Sequence, residues 1–229
     1  MIIDVIIPAW NEEPSIGKVV SDIDRTLVRR VIVVDNNSRD RTAQTASAAG
    51  ATVITEKEQG YGAACLAGIA LANSDPQPAD VIVFMDADYS DYAHEMPLLL
   101  APLTEGYDMV IGSRALGQRE KGSMTPQQVF GNALATWLIR IIYRFRYTDL
   151  GPYRAIKREA LNRIGMRDRN YGWTVEMQIK ALQHGLNVTE VAVNYRRRIG
   201  VSKVSGTVKG TILAGYKIIT TIFRYALWR

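Results

Sequence analysis

Short apolar runs alternate with helical stretches through the first half of the chain. Ile2–Ile7 reads as a buried strand, and Val31–Val34, Thr52–Ile54 and Val81–Met85 read the same way. Helical segments separate them. Pro14 opens one that runs to about Arg25, because a proline in a first turn sacrifices no helical hydrogen bond. Arg41–Ala49 is a second, stopped by Gly50 at the position after the last helical residue. Ala63–Ala72 is a third, built of small residues. Strands alternating with helices predict a parallel sheet with right-handed crossovers. Strands that are apolar throughout predict helices on both faces of it.

The second half is less regular. Met109–Gly112, Arg154–Ile156 and Val188–Val193 read as strands, and Arg158–Ile164 and Thr174–His184 as helices, the latter stopped by Gly185. Pro126–Tyr147 is a long helix with a stripe of Phe130, Leu134, Trp137, Leu138, Ile141 and Ile142. Residues 207–229 form a last amphipathic helix. Lys209, Lys217 and Arg224 interrupt it, so it falls short of the roughly 20 apolar residues a membrane span needs. Its apolar face fits a membrane surface, its own domain or a second subunit of a homo-oligomer equally well. With no repeat and no linker, residues 1–206 are expected to be one domain, followed by this helix.

Polar clusters sit where open parallel sheets bind ligands, at the carboxyl ends of strands. Pro8-Ala9-Trp10-Asn11-Glu12-Glu13 follows the first strand, Asp35-Asn36-Asn37-Ser38-Arg39-Asp40 the second, and Asp86-Ala87-Asp88-Tyr89-Ser90-Asp91 the fourth. Any one of them suits ordinary helix capping. Three at successive strand ends form one wall of a site. Carboxylates at i and i+2 leaving an extended strand reach into one cleft, and Mg²⁺ or Mn²⁺ takes one or two carboxylates plus substrate phosphate oxygens. Asp35 is placed to accept a ring N–H of uracil or guanine. Gly60-Tyr61-Gly62 allows a close backbone approach, but its spacing is not that of a dinucleotide fingerprint.

Composition narrows the classes. The 229 residues are 47% hydrophobic and 22% charged, a globular balance. One cysteine, Cys65, and the histidines His94 and His184 are too few for a zinc site. The lone cysteine and the lack of a secretory leader fit a cytoplasmic setting. The net charge is +5, and basic residues crowd after Arg114. That pattern suits a phosphorylated substrate or the inner face of an anionic membrane, with peripheral attachment there. Nucleic acid is disfavoured, because the acidic strand-end clusters would repel its backbone.

Six short motifs in order then resemble the inverting family 2 glycosyltransferases, most closely the dolichyl-phosphate mannose synthase-like branch. They are Ile7-Pro8-Ala9-Trp10-Asn11-Glu12-Glu13, the run Val34 to Thr42, Gly60-Tyr61-Gly62-Ala63-Ala64 with Gly68, Met85-Asp86-Ala87-Asp88-Tyr89-Ser90, Gly112-Ser113-Arg114 and Gly200-Val201-Ser202-Lys203. The resemblance implies a GT-A fold, a UDP- or GDP-sugar donor and Mg²⁺ or Mn²⁺. It assigns the nucleoside to Pro8, Ala9, Trp10, Glu12 and Asp35. Metal and diphosphate fall to Asp86, Ala87, Asp88 and Ser90, with Asp88 the direct ligand. Arg114, Arg197 and Lys203 fall to phosphates. Glu176 stands where such enzymes carry an acidic base, and is the expected general base if the acceptor is a hydroxyl. Asn36-Asn37 departs from the acidic-glycine pair common at that place, and the QxxRW motif of processive synthases is absent. The expected reaction is hexose transfer to a polyprenyl phosphate or related lipid. Soluble or diacylglycerol-type hydroxyl acceptors are the alternative. A sugar nucleotidyltransferase is a more distant one, since the loop after the first strand is acidic rather than glycine-rich and basic.

Overall fold

The computed structural model describes residues 1–201 and 208–227. Seven strands form one sheet in the order β3-β2-β1-β4-β6-β5-β7. They are β1 (Ile3–Ala9), β2 (Arg30–Asp35), β3 (Thr52–Thr55), β4 (Val81–Phe84), β5 (Met109–Ser113), β6 (Arg154–Lys157) and β7 (Val188–Ala192). Neighbours pair in parallel except β6, which runs antiparallel to both β4 and β5. The expectation of a mainly parallel sheet holds, and the short strand opening at Arg154 is the exception.

Strand alternation divides the core. Ile6, Ile32, Val34, Ile82 and Phe84 point to one face, while Val5, Ile7, Val31, Val33 and Val83 point to the other. The first face is covered by α3 (Tyr61–Asn73), α5 (Pro126–Tyr143), α6 (Arg158–Ile164), α7 (Trp173–Gln183) and α8 (Val208–Ala226). The second is covered by α1 (Glu13–Asp22), α2 (Thr42–Ala48) and α4 (Met96–Thr104). Sheet and helices thus bury both faces, and the strands stay apolar throughout.

Two elements differ from the sequence reading. Helix α4 was not expected. It has Pro97 in its first turn and carries Pro102 inside, yet it buries Met96, Leu99, Leu100 and Leu103 against the sheet. Helix α5 stops at Tyr143, four residues early, because Arg144 turns left-handed at φ 56°. Its start is firm: Thr125 caps it, exchanging hydrogen bonds with Gln128 in a capping box. Helix α8 packs on α5 and α7, buries Ile222, and receives the Tyr143 hydroxyl on the Ile222 carbonyl at 2.8 Å. No helix among the described residues is long and apolar enough to cross a membrane.

Candidate functional site

Parallel β1, β2 and β4 end at one edge of the sheet, so the three polar clusters converge there. Above that edge lies a cavity of about 670 Å³. Pro8, Ala9, Trp10, Glu12, Asp86, Ala87, Asp88 and Arg114 line it. Its far side is closed by the first turns of α5, by Asn170–Thr174 and by Ala214, Gly215 and Ile218 of α8. The last helix is therefore a wall of the cavity.

The fourth-strand cluster packs three carboxylates together. Asp91 accepts the Asp86 backbone N–H at 3.2 Å, and its other oxygen is buried without a hydrogen-bond partner. Burial, and after it the charge of Asp88, pushes the Asp86 carboxyl up to about 7; Arg198 and the Tyr61 hydroxyl, which donates to it at 3.1 Å, act the other way. Burial with Asp86 and Asp88 also raises Asp91 well above the carboxylate range. Ser90 donates to Asp88 through both its N–H and its hydroxyl. Between them Tyr89 sits at φ 68°, a costly conformation for a bulky residue. Tyr89 is held there by Asp22, which accepts its hydroxyl at 2.7 Å, and by Arg196, stacked 3.3 Å from its ring centre.

The basic residues do not all fall where the sequence reading placed them. Arg197 is absent from the cavity wall and instead donates to the Lys121 carbonyl. Arg198 lines the cavity and bridges Asp88 and Glu12, at 3.1 Å from each. Arg114 lines the cavity, but its guanidinium forks onto Asp149 at 2.7 Å and lies 5.0 Å from the Tyr195 ring centre. Lys203 lies outside the described residues.

At the β2 end, Asp35 is buried, and its Oδ1 has no hydrogen-bond partner. A buried acceptor left open costs free energy unless something donates to it. Asp35 itself is not on the cavity wall, where its neighbour Asn36 stands; a base N–H is the kind of donor its open oxygen would accept. Asn36 replaces the acid of the commoner motif with a brace: it donates to the Glu56 and Glu58 carbonyls and accepts the Gly60 N–H at 2.8 Å. Asn37 takes the glycine position at φ 62°, which asparagine tolerates. The close approach at Gly60 and Gly62 is to protein, not to a ligand. A Cβ on Gly62 would stand 2.0 Å from the Asp168 carbonyl oxygen, and one on Gly60 2.1 Å from that of Arg169.

Glu176 corrects the sequence reading. It is fully buried and does not reach the cavity. Its carboxylate accepts the N–H groups of Arg167 and Asp168, the Tyr225 hydroxyl at 2.7 Å and the Lys180 ammonium at 2.8 Å. A carboxylate so fully engaged holds the 167–171 wall to α7 and α8; it is not placed to take a proton from an acceptor. Arg154, equally buried, binds the carbonyls of Leu150, Gly151 and Thr174, three more supports behind the wall.

Known proteins are similar to this chain in sequence and in fold. An uncharacterized glycosyltransferase of Mycobacterium tuberculosis is 37% identical over 93% of this chain and 94% of its own length. The dolichyl-phosphate hexose transferase of Haloferax volcanii is 35% identical over 87% of this chain and 85% of its own. Among solved structures, the glucosyl-3-phosphoglycerate synthase of Mycobacterium tuberculosis, in complex with Mn²⁺, UDP and phosphoglyceric acid, superposes with a TM-score of 0.78 at 23% identity. That superposition covers 98% of this chain and 78% of the other, and it supports the GT-A architecture. Residues 4–166 match the family described as Glycosyl transferase family 2, and with that match and these relatives the chain belongs to the family 2 glycosyltransferases.

Proposed function

We propose that this enzyme transfers a hexose, with inversion, from a UDP- or GDP-sugar to a polyprenyl phosphate or related lipid at a membrane surface. The observation that carries the acceptor class is the set of carboxylates on the cavity wall. Among the described residues they are Glu12, Asp86 and Asp88. Glu12 is engaged by Arg198, and by Ser15 at 3.0 Å, and the aspartates are the expected partners of metal and diphosphate. No carboxylate remains to activate a hydroxyl. A phosphate acceptor needs none, being already an anionic nucleophile near neutral pH. Its oxygen attacks the anomeric carbon as the bond to the nucleoside diphosphate breaks. The similarity to the Haloferax dolichyl-phosphate hexose transferase supports the same class.

The residues present fit a divalent cation. Two carboxylates at i and i+2 with Ser90 beside them match Mg²⁺ or Mn²⁺, which complete their shells with phosphate oxygens. No group of three or more His, Cys, Asp or Glu able to hold a metal by itself occurs among the described residues. Such an ion offsets charge on the departing diphosphate. Asp88 and Asp86 would hold it, and Arg198, which lines the cavity and bridges Asp88 and Glu12, would supply a guanidinium to the same phosphates. The Asp35 carboxylate receives the base, and Trp10 and Pro8 flank it. Labelled UDP- and GDP-sugars, each incubated with polyprenyl phosphate and Mn²⁺ in detergent, test the reading. Lipid-linked sugar should appear with one donor and vanish on chelation. Transfer to a soluble hydroxyl acceptor with none to the lipid would overturn it.

A further inference from the structure

A second cavity, of about 340 Å³, runs along α5. Arg119, Arg140 and Arg146 stand on its walls, with Thr136, Trp137 and Thr148 between them. It adjoins the donor cavity, since Met124 and Asn132 line both. The partition between the two includes the Arg114–Asp149 pair, with Arg114 on the donor side and Asp149 on the other. A group held by the three arginines is therefore not at the metal-binding aspartates.

Among the described residues, Asp149 is the one carboxylate on these walls, and both its oxygens are committed to Arg114. Among the described residues, no acid pairs with Arg119, Arg140 or Arg146. Three guanidinium groups around one hollow repel each other, and a phosphate relieves that repulsion through their forked donors. The surroundings are apolar. Trp137 is 56% exposed at the rim, and Val129, Phe130 and Ile141 are exposed along the same helix. No Asp or Glu occurs between Lys121 and Thr148, nor anywhere after Glu190, so α8, which packs on α5, is also without acid. A soluble phosphate explains the arginines but leaves the exposed tryptophan and its neighbours in water. An anionic amphiphile satisfies both.

We propose that the α5 groove binds the phosphate headgroup of an anionic bilayer lipid, with Trp137 and its α5 neighbours at the acyl boundary. This deepens the membrane-surface part of the proposed function and does not depend on which acceptor is used. The test is flotation of the whole chain with vesicles that contain neither donor nor acceptor. The wild type should float with phosphatidylglycerol vesicles and stay behind with phosphatidylcholine vesicles. Each basic residue near an anionic surface is worth about fivefold in partitioning, so Arg140→Ala with Arg146→Ala should weaken flotation about 30-fold. Arg146→Gln alone, at an exposed position, should weaken it about fivefold. UDP binding in Mn²⁺ should be unchanged in both, which separates this result from any defect in the donor site. Equal flotation of wild type and double variant would overturn the proposal, as would equal binding to both vesicle types. Glycerol phosphate should leave flotation intact; displacement by micromolar amounts would reassign the groove to a soluble phosphate.

Discussion

Replacing Asp86 by asparagine removes one charge from a buried cluster of three while keeping the oxygen that accepts the Tyr61 hydroxyl. Asp86 titrates at about 7 in the folded chain against 3.8 for a free side chain. The folded state therefore keeps its proton longer than the unfolded state. Between those two values the unfolded chain binds fewer protons, so stability falls as pH rises and levels off above the folded value. Three units correspond to a ceiling of about 4 kcal/mol. Part of the side chain meets cavity water, so roughly half of that, about 2 kcal/mol, is the expected penalty. For a chain of this size it amounts to about 4–8 °C in Tm. Asp91, raised in part by Asp86, adds in the same direction. Thermal melts of ligand-free wild type and Asp86→Asn across pH 4 to 8.5, in chelator, measure it. The two should melt together near pH 4. The variant should gain steadily to about pH 7, and the gap should then hold. Mn²⁺ with UDP should raise only the wild type. A gap that ignores pH, or a variant less stable at pH 8, would refute the electrostatic account.

Asp35→Asn keeps the shape of the β2 end but weakens its open acceptor. A charged hydrogen bond is worth about 1.5–3 kcal/mol, so UDP or GDP should bind roughly tenfold to a hundredfold more weakly by calorimetry, with Tm little changed. Glu176→Gln leaves Lys180 buried and without its carboxylate. It should cost about 3 kcal/mol in denaturant unfolding and affect transfer to hydroxyl and phosphate acceptors alike, whereas a general base would affect hydroxyl acceptors alone. Gly62→Ala drives a Cβ into the Asp168 carbonyl and should cost about 3 kcal/mol or prevent folding.

What the sequence made legible follows from which signals are local. The strand–helix alternation of the first half is periodic and cooperative with its turns, so β1 to β4 and α1 to α3 appear within a few residues of their expected places. Helix α4 was hidden because two prolines mark Met96–Thr104 as irregular, while its real warrant is four side chains buried on the sheet. The reversed direction of β6 was equally hidden. Four residues carry no sign of parallel or antiparallel pairing; that is decided by where the chain has already gone. The polar strand ends were visible since parallel strands carry their loops to one edge. The role of Glu176 was not, because an acid at a helix start looks the same whether it faces a cavity or the N–H groups of a distant turn.

The triple arginine shows the limit most sharply. Nothing in Arg196-Arg197-Arg198 says which side chain faces the site. In the structure this stretch is extended, and Tyr195 bridges both Asp91 and Arg119. Successive side chains of an extended segment point to opposite sides. Arg196 and Arg198 therefore fall toward the 86–91 turn, one stacking on Tyr89 and the other meeting Asp88. Tyr195 and Arg197 fall toward the 114–121 segment, under Arg114 and against the Lys121 carbonyl. The backbone makes the same choice: Arg196 and Ile199 donate to the carbonyls of Ser90 and Asp88, while Glu120 donates to that of Tyr195. One strap thus ties the acidic turn after β4 to the loop before α5, and its phase decides which arginine meets the carboxylates. The paired aspartates lie close together in the sequence, but the arginine that offsets their charge stands 110 residues after Asp88, and only the fold brings the two together.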